Sequence, residues 1–172
     1  MTAPTASRTL LLLRHADAEE VGGGRDRDRP LSAHGRGQAA AVGQVLRAAG
    51  LLPDRVLCSP SLRTRQTLEG LGLPGLDPAS ERVELADAVY EAGSDTLLEL
   101  VRALPADVRT ALVVGHAPGV PQLALDLAGP GSDAELLGQL ERRFPTATLA
   151  RITVEDAWSH LDQGQLIFLR FG

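Results

Sequence analysis

The most apolar run of the chain, RTLLLLR at residues 8–14, is continuous rather than alternating and ends in an arginine on each side. An unbroken run of this length fits a strand covered on both faces, as in a parallel sheet. Two runs of the same character follow, DRVLCS at 54–59 and RTALVVGH at 109–116, and RVEL at 82–85 is a shorter candidate. Between them the apolar spacing turns helical. Ser32 can cap a helix that passes through Gln38, Val42, Val45 and Leu46 and stops at Gly50, and Ser61 can cap a second one through Leu68. SDTLLELVRAL at 94–104 reads as a capped helix, PGVPQLALDLAG at 118–129 as a helix opened by proline, and SDAELLGQLERRF at 132–144 as helical by spacing. The C-terminal part alternates like strands in TATLARITV (146–154) and QLIFLRF (165–171), with WSHLDQGQ as a polar turn between them. This alternation predicts a single-domain α/β fold over residues 1–172, with a mostly parallel central sheet flanked by helices on both faces. Residues 1–7 are expected to be a flexible start. GGGRDRDRP at 22–30 is too glycine-rich and charged to pack, so a mobile surface loop is expected there.

A length of 172 residues with 44% hydrophobic content suits one compact core. No apolar run approaches the roughly 20 residues that cross a bilayer, and MTAPTASR lacks the long apolar stretch of a secretion signal. A cytoplasmic protein without a membrane partner is the expectation. One cysteine cannot form an internal disulfide, and four scattered histidines give no Cys/His metal framework. The net charge of −5, with seventeen arginines spread along the chain and no lysine, gives no electrostatic footprint for nucleic acid.

In an open parallel sheet the C-terminal strand ends form a rim where ligands bind. The first strand delivers Arg14 and His15 to that rim, the second Ser59 and Pro60 with Arg63 one turn later, and the Val-rich strand Gly115 and His116. Arginine pairs two phosphate oxygens through its planar fork, and neutral imidazole is a competent nucleophile near pH 7. Two arginines and two histidines converging on one place point to phosphoryl transfer.

These residues also carry a family resemblance. LRHADA (13–18) resembles the Arg-His signature of the histidine phosphatase, or phosphoglycerate mutase-like, superfamily. SPSLRTRQTLE (59–69) is similar to its Ser-Pro-x-x-Arg segment, VVGHAPGV (113–120) to its second histidine motif, and RPLSAHGRGQA (29–39) to the start of its first helix. The resemblance implies that His15 attacks phosphorus and is transiently phosphorylated. It also implies that Arg14, Arg63 and His116 bind the transferring group, that water then releases phosphate, and that no metal or other cofactor is needed. Many members draw a proton donor from a Leu-x-Glu pattern after the third strand; here ELADAVYEAGSD (84–95) puts Asp87 at that place, with Glu91 one turn on. The short chain, the RHADA start, the open GRDRDRPLSAHG loop (24–35) and FPTATLARI (144–152) most resemble the small bacterial phosphohistidine phosphatases of the SixA type. The implied substrate is a phosphohistidine on another protein, with a small phosphate ester or a non-catalytic phosphate-binding regulatory module as alternatives.

Other polar residues are expected to do less. His34 and His160 read as surface residues, and Cys58 as a small buried hydrophobe. Asp17, Glu19 and Glu20 read as a solvated acidic stretch. Arg25, Arg27 and Arg29, interleaved with Asp26 and Asp28, read as solvating charges.

Overall fold

The computed structural model describes residues 7–20 and 22–172, so the start expected to be flexible lies, but for Ser7, outside the described residues. The strands are β1 (Arg8–Arg14), β2 (Arg55–Cys58), β3 (Val83–Leu85), β4 (Thr110–Gly115), β5 (Leu149–Val154) and β6 (Gln165–Arg170), and the helices are α1 (Ala33–Ala48), α2 (Leu62–Gly70), α3 (Ser94–Arg102), α4 (Gly119–Leu127) and α5 (Ala134–Arg142). One sheet holds all six strands in the order β3-β2-β4-β1-β5-β6. The β3, β2, β4 and β1 neighbours pair in parallel, and β5 and β6 extend the β1 side as antiparallel strands. The fold is the mixed, mostly parallel α/β sheet that the strand and helix periods predict.

The four leucines of β1 explain why the run is unbroken. Leu10 and Leu12 join a core with Leu97 and Val101 of α3, Leu123 of α4 and Leu140 of α5, whereas Leu11 and Leu13 join a second core with Val42 and Leu46 of α1 and Leu68 of α2. Successive side chains of a strand point to opposite faces, so a strand sandwiched between two helical layers needs an apolar residue at every position. β4 follows the same rule with Ala111 and Val113 on one side and Leu112 and Val114 on the other.

Local signals account for some of the helix ends. The Ser32 hydroxyl accepts the Gly35 N–H at 2.9 Å to start α1, and Gly50, in the left-handed region at φ 64°, follows its end. Asp133 caps α5 through the N–H groups of Glu135 and Leu136. Two caps differ from expectation. Ser61 stands at the N-cap of α2 but its hydroxyl meets the Thr64 hydroxyl at 2.7 Å, and α3 starts after Gly93 with Ser94 already inside it. The turn WSHLDQGQ is less polar than its composition: Trp158 is buried in the first core and donates its indole N–H to the Val108 carbonyl at 2.8 Å. An indole with its one donor satisfied belongs inside, whatever its neighbours are.

The chain after β1 is pressed against α1. A Cβ at Gly35 would stand 2.0 Å from the Asp17 carbonyl oxygen, while a Cβ at Gly37 would meet nothing within 4 Å. Gly35→Ala is therefore expected to destabilise the protein by roughly 1–3 kcal/mol through overpacking. Gly37→Ala on the same helix should stabilise it by about 0.5–1 kcal/mol. Denaturant titration of the two variants checks the opposite signs.

Candidate active site

The site is built where β1 and β4 end side by side. Their parallel register pairs Arg14 with Gly115, and the His15 N–H donates to the Gly115 carbonyl at 3.0 Å. His15 and His116 thus leave adjacent strands at the same level, and their ring centroids lie 5.3 Å apart. β2 ends beside them: the Ser59 N–H donates to the Val114 carbonyl, and the first turn of α2 then brings in Arg63. On the other flank the His15 carbonyl accepts the Ala147 N–H, and the Arg14 guanidinium donates to the Phe144 carbonyl at 2.8 Å. A cavity of about 400 Å³ opens between these ends, lined by Arg14, His15, Arg29, Arg63 and His116, with Asp17, Asp26 and Glu91 also among its lining residues.

Hydrogen bonds fix the protonation pattern of both imidazoles. His15 Nδ1 lies 2.7 Å from the Ala16 carbonyl oxygen, which only accepts, so Nδ1 carries the proton and Nε2 keeps a free lone pair. His116 Nδ1 lies 3.4 Å from an Arg63 nitrogen, which only donates, so its proton is on Nε2 and is given to the Ser59 hydroxyl at 2.8 Å. Burial, against the favourable Ala16 contact and helped by the charges of Arg63, Arg14 and Arg29, pushes the His15 pKa down to about 4. Burial, followed by the neighbouring His15 and Arg63, pushes His116 down to about 3. Both rings are therefore neutral at pH 7, and a neutral imidazole with an oriented lone pair between guanidinium groups is suited to attack an electron-poor phosphorus.

Arg14, His15, Arg63 and His116 all line the cavity; Asp87 does not. It begins a 3₁₀ turn, Asp87–Val89, and its carboxylate is 84% exposed and paired with Arg27. Glu91 lines the cavity, with its backbone in the left-handed region at φ 57°. An acidic residue four positions later in the same segment thus lines the cavity, as the residue at the matching spacing does not. Strain of this kind in a non-glycine residue concentrates at functional sites.

The 22–30 loop differs most from expectation, because its charges have specific partners. Arg63 donates to both the main-chain oxygen and the carboxylate of Asp26, at 2.8 and 3.0 Å, and the Tyr90 hydroxyl donates to the same carboxylate at 2.9 Å. Arg27 pairs with Asp87, and Arg29 donates to the Glu19 carbonyl and the Asp26 carboxylate. Arg25, paired with Asp28 at the surface, keeps the solvated role expected of it. Asp17 is half-buried and anchors the chain after His15: its carboxylate and carbonyl accept from Ser32, and its N–H donates to Gln38. Glu19 and Glu20 are exposed, as are His34 and His160. Cys58 is buried, and burial pushes its thiol up to about 12. Asp26, Arg29 and Tyr90 were not legible as site residues, since sign alternation in one segment and a lone tyrosine in another carry no pairing information. Among the described residues no group of three or more His, Cys, Asp or Glu is placed to hold a metal ion. No helix among them is long and apolar enough to cross a membrane.

Comparison with known proteins decides the family. The model of the histidine phosphatase superfamily (branch 1) matches residues 10–92, which include Arg14, His15 and Arg63. A solved structure from Nakamurella multipartitia, described as a candidate phosphohistidine phosphatase SixA, is 40% identical and superposes with a TM-score of 0.82 over 98% of each chain. The chain belongs to the histidine phosphatase superfamily. As a histidine phosphatase it is 28% identical over 159 residues to the phosphohistidine phosphatase SixA of Escherichia coli, covering 86% of each protein. It also matches a structure of the protein histidine phosphatase SixA complexed with tungstate, at 25% identity and a TM-score of 0.75, over 95% of this chain and 96% of that one.

The depressed histidines give this phosphatase a defined acid sensitivity. In the unfolded chain both imidazoles take up a proton near pH 6.5, whereas in the fold they stay neutral down to about 4 and about 3. The unfolded state binds more protons as pH drops below 6.5, so stability present above pH 6.5 is lost progressively toward pH 4 and below. Ring proton resonances should show a His15 midpoint near 4 in the free protein, and the melting temperature should fall over the same window. A midpoint at 6 or above would remove the burial argument.

Proposed function

We propose that this phosphatase is a metal-independent protein phosphohistidine phosphatase that works through a phosphohistidine intermediate on His15. The observation that carries the reading is the His15 Nδ1–H bond to the Ala16 carbonyl, which leaves Nε2 as the nucleophile in a cavity lined by Arg14 and Arg63. In the first step the Nε2 lone pair forms a bond to phosphorus as the bond to the leaving nitrogen or oxygen breaks, and that atom takes up a proton. In the second, a water oxygen bonds to phosphorus as the P–Nε2 bond breaks and returns its electron pair to His15, and the product leaves as inorganic phosphate with the water's proton passed to it or to solvent. Arg14, Arg63 and His116 surround the transferring group, and the two guanidinium cations supply the charge neutralisation, so no cofactor is required.

Glu91, at the cavity wall, is better placed than Asp87 to supply the leaving-group proton. An imidazole leaves phosphorus more readily than an alkoxide, so a phosphohistidine depends less on that proton. The substrate class is supported by the likeness to SixA proteins over nearly the whole chain.

The test offers the purified protein, in excess chelator, a phosphohistidine-bearing protein domain and para-nitrophenyl phosphate side by side. Fast loss of the phosphohistidine with slow ester hydrolysis is expected, and both should vanish in His15→Ala. Comparable or faster ester hydrolysis would make it a small-molecule phosphatase, and phosphate binding without turnover would make it a regulatory module. Glu91→Gln should slow ester hydrolysis by about 10²-fold or more, the usual worth of a general acid, and affect the phosphohistidine less. Asp87→Asn should stay near the parent rate on both substrates.

A further inference from the structure

We propose that Asp26 and Tyr90 form a clamp that orients Arg63 and His116 toward the phosphoryl group, a pair of positioning residues outside the motifs that carry the catalytic side chains. The proposal rests on the reading of Arg63 as an oxyanion ligand. Asp26 uses every acceptor it has. Its Oδ2 accepts from Arg63 and from the Tyr90 hydroxyl, its Oδ1 from Arg29 at 3.2 Å, and its main-chain oxygen from Arg63 again. Tyr90 closes the circuit from the other side. Its ring stands edge-on to the His116 ring at 5.5 Å and 88°, and the Arg27 guanidinium covers its face at 5.3 Å. Hydroxyl, carboxylate, guanidinium and imidazole thus form a closed ring of contacts, because Arg63 reaches His116 Nδ1 at 3.4 Å.

Two opposite effects of the Asp26 carboxylate must be weighed. It repels an incoming phosphate, and it fixes the arginine that the phosphate needs. The repulsion acts through a side chain that is 53% exposed, so water and salt screen it. The fixing acts on a guanidinium that is 7% exposed and sits at the end of a rotamer-rich stem, where each contact removes freedom that binding would otherwise have to remove. Asp26 takes one donor from each terminal nitrogen of Arg63, and the fork retains further N–H groups for an oxyanion. The Tyr90 hydroxyl above all, then Arg63 and Arg29, outweigh the opposing effect of burial and hold the Asp26 carboxyl at about 2, so this carboxylate stays ionised at any working pH. Fixing outweighs repulsion.

The experiment uses the full chain, with tungstate as the oxyanion probe and para-nitrophenyl phosphate as the substrate. Asp26→Asn is expected to raise KM and the tungstate dissociation constant together by roughly tenfold, with kcat changed by less than about threefold. Tyr90→Phe, which removes one oxygen, should give a smaller rise in the same two constants, and its effect should disappear in the double variant because the hydroxyl acts through Asp26. Unchanged tungstate binding in Asp26→Asn, tighter binding, or additive effects in the double variant would overturn the proposal; tighter binding would make Asp26 a competitor for Arg63. Should Asp26→Asn fail to fold, Tyr90→Phe decides alone, and unaltered tungstate binding in it overturns the clamp. Calorimetric tungstate binding needs no turnover, so a parent protein inactive on every phosphate substrate would sink the functional reading while leaving the clamp measurable.

Discussion

The hydrogen bond between the His15 amide and the Gly115 carbonyl is the contact on which the site depends. It extends the β1–β4 register by one residue, so that the two histidines leave the sheet at one level. A slip of one residue would turn His15 to the opposite face of the sheet and break the pair. What prevents the slip is the packing of β1 into two cores at once, since every leucine of the strand would exchange faces with it. Apolar packing along the strand thus sets the level of the strand tip, and the polar contacts there act on a backbone already held in register.

The electrostatics follow from the same burial. A solvent-exposed imidazole between arginines would feel a modest repulsion, but His15 is 8% exposed, and desolvation is the larger cause of its depressed pKa. The cavity therefore carries positive charge on its guanidinium groups and a neutral ring between them. Asp26 already pairs with Arg63 and Arg29 from one side, and an oxyanion would be met by the N–H groups that this carboxylate leaves free. The same neutrality keeps the ring nucleophilic over a wider acid range than a free histidine.

Much of this was legible in the sequence because it is written in period and position. The unbroken leucines of β1 and the valines of β4 announce strands buried on both faces, and a polar residue directly after each has to stand at the rim. Arg63 is legible for the same reason, one helical turn past the end of β2. The rest is a matter of partners, which period does not encode. Arg27, Arg29, Asp26 and Asp28 alternate in sign and so look self-cancelling, yet Asp26 binds Arg63, 37 residues away, and Tyr90, 64 residues away. Asp87 occupies the matching spacing, but the 3₁₀ turn at that point directs its carboxylate outward and leaves Glu91 at the cavity. Trp158 was hidden by polar neighbours, since a turn's composition does not reveal that one ring of it fills a core.

Glu91 bears on how this protein would respond to selection. A left-handed backbone at a non-glycine residue is a conformation that glycine adopts without penalty. A search for thermostable variants would accordingly favour glycine at position 91, and would discard the carboxylate at the cavity wall in doing so. Under the proposed role of Glu91 as proton donor, persistence and ester turnover pull in opposite directions at this one position, so a heat-resistant descendant with glycine there should be a poorer esterase while losing less on a phosphohistidine.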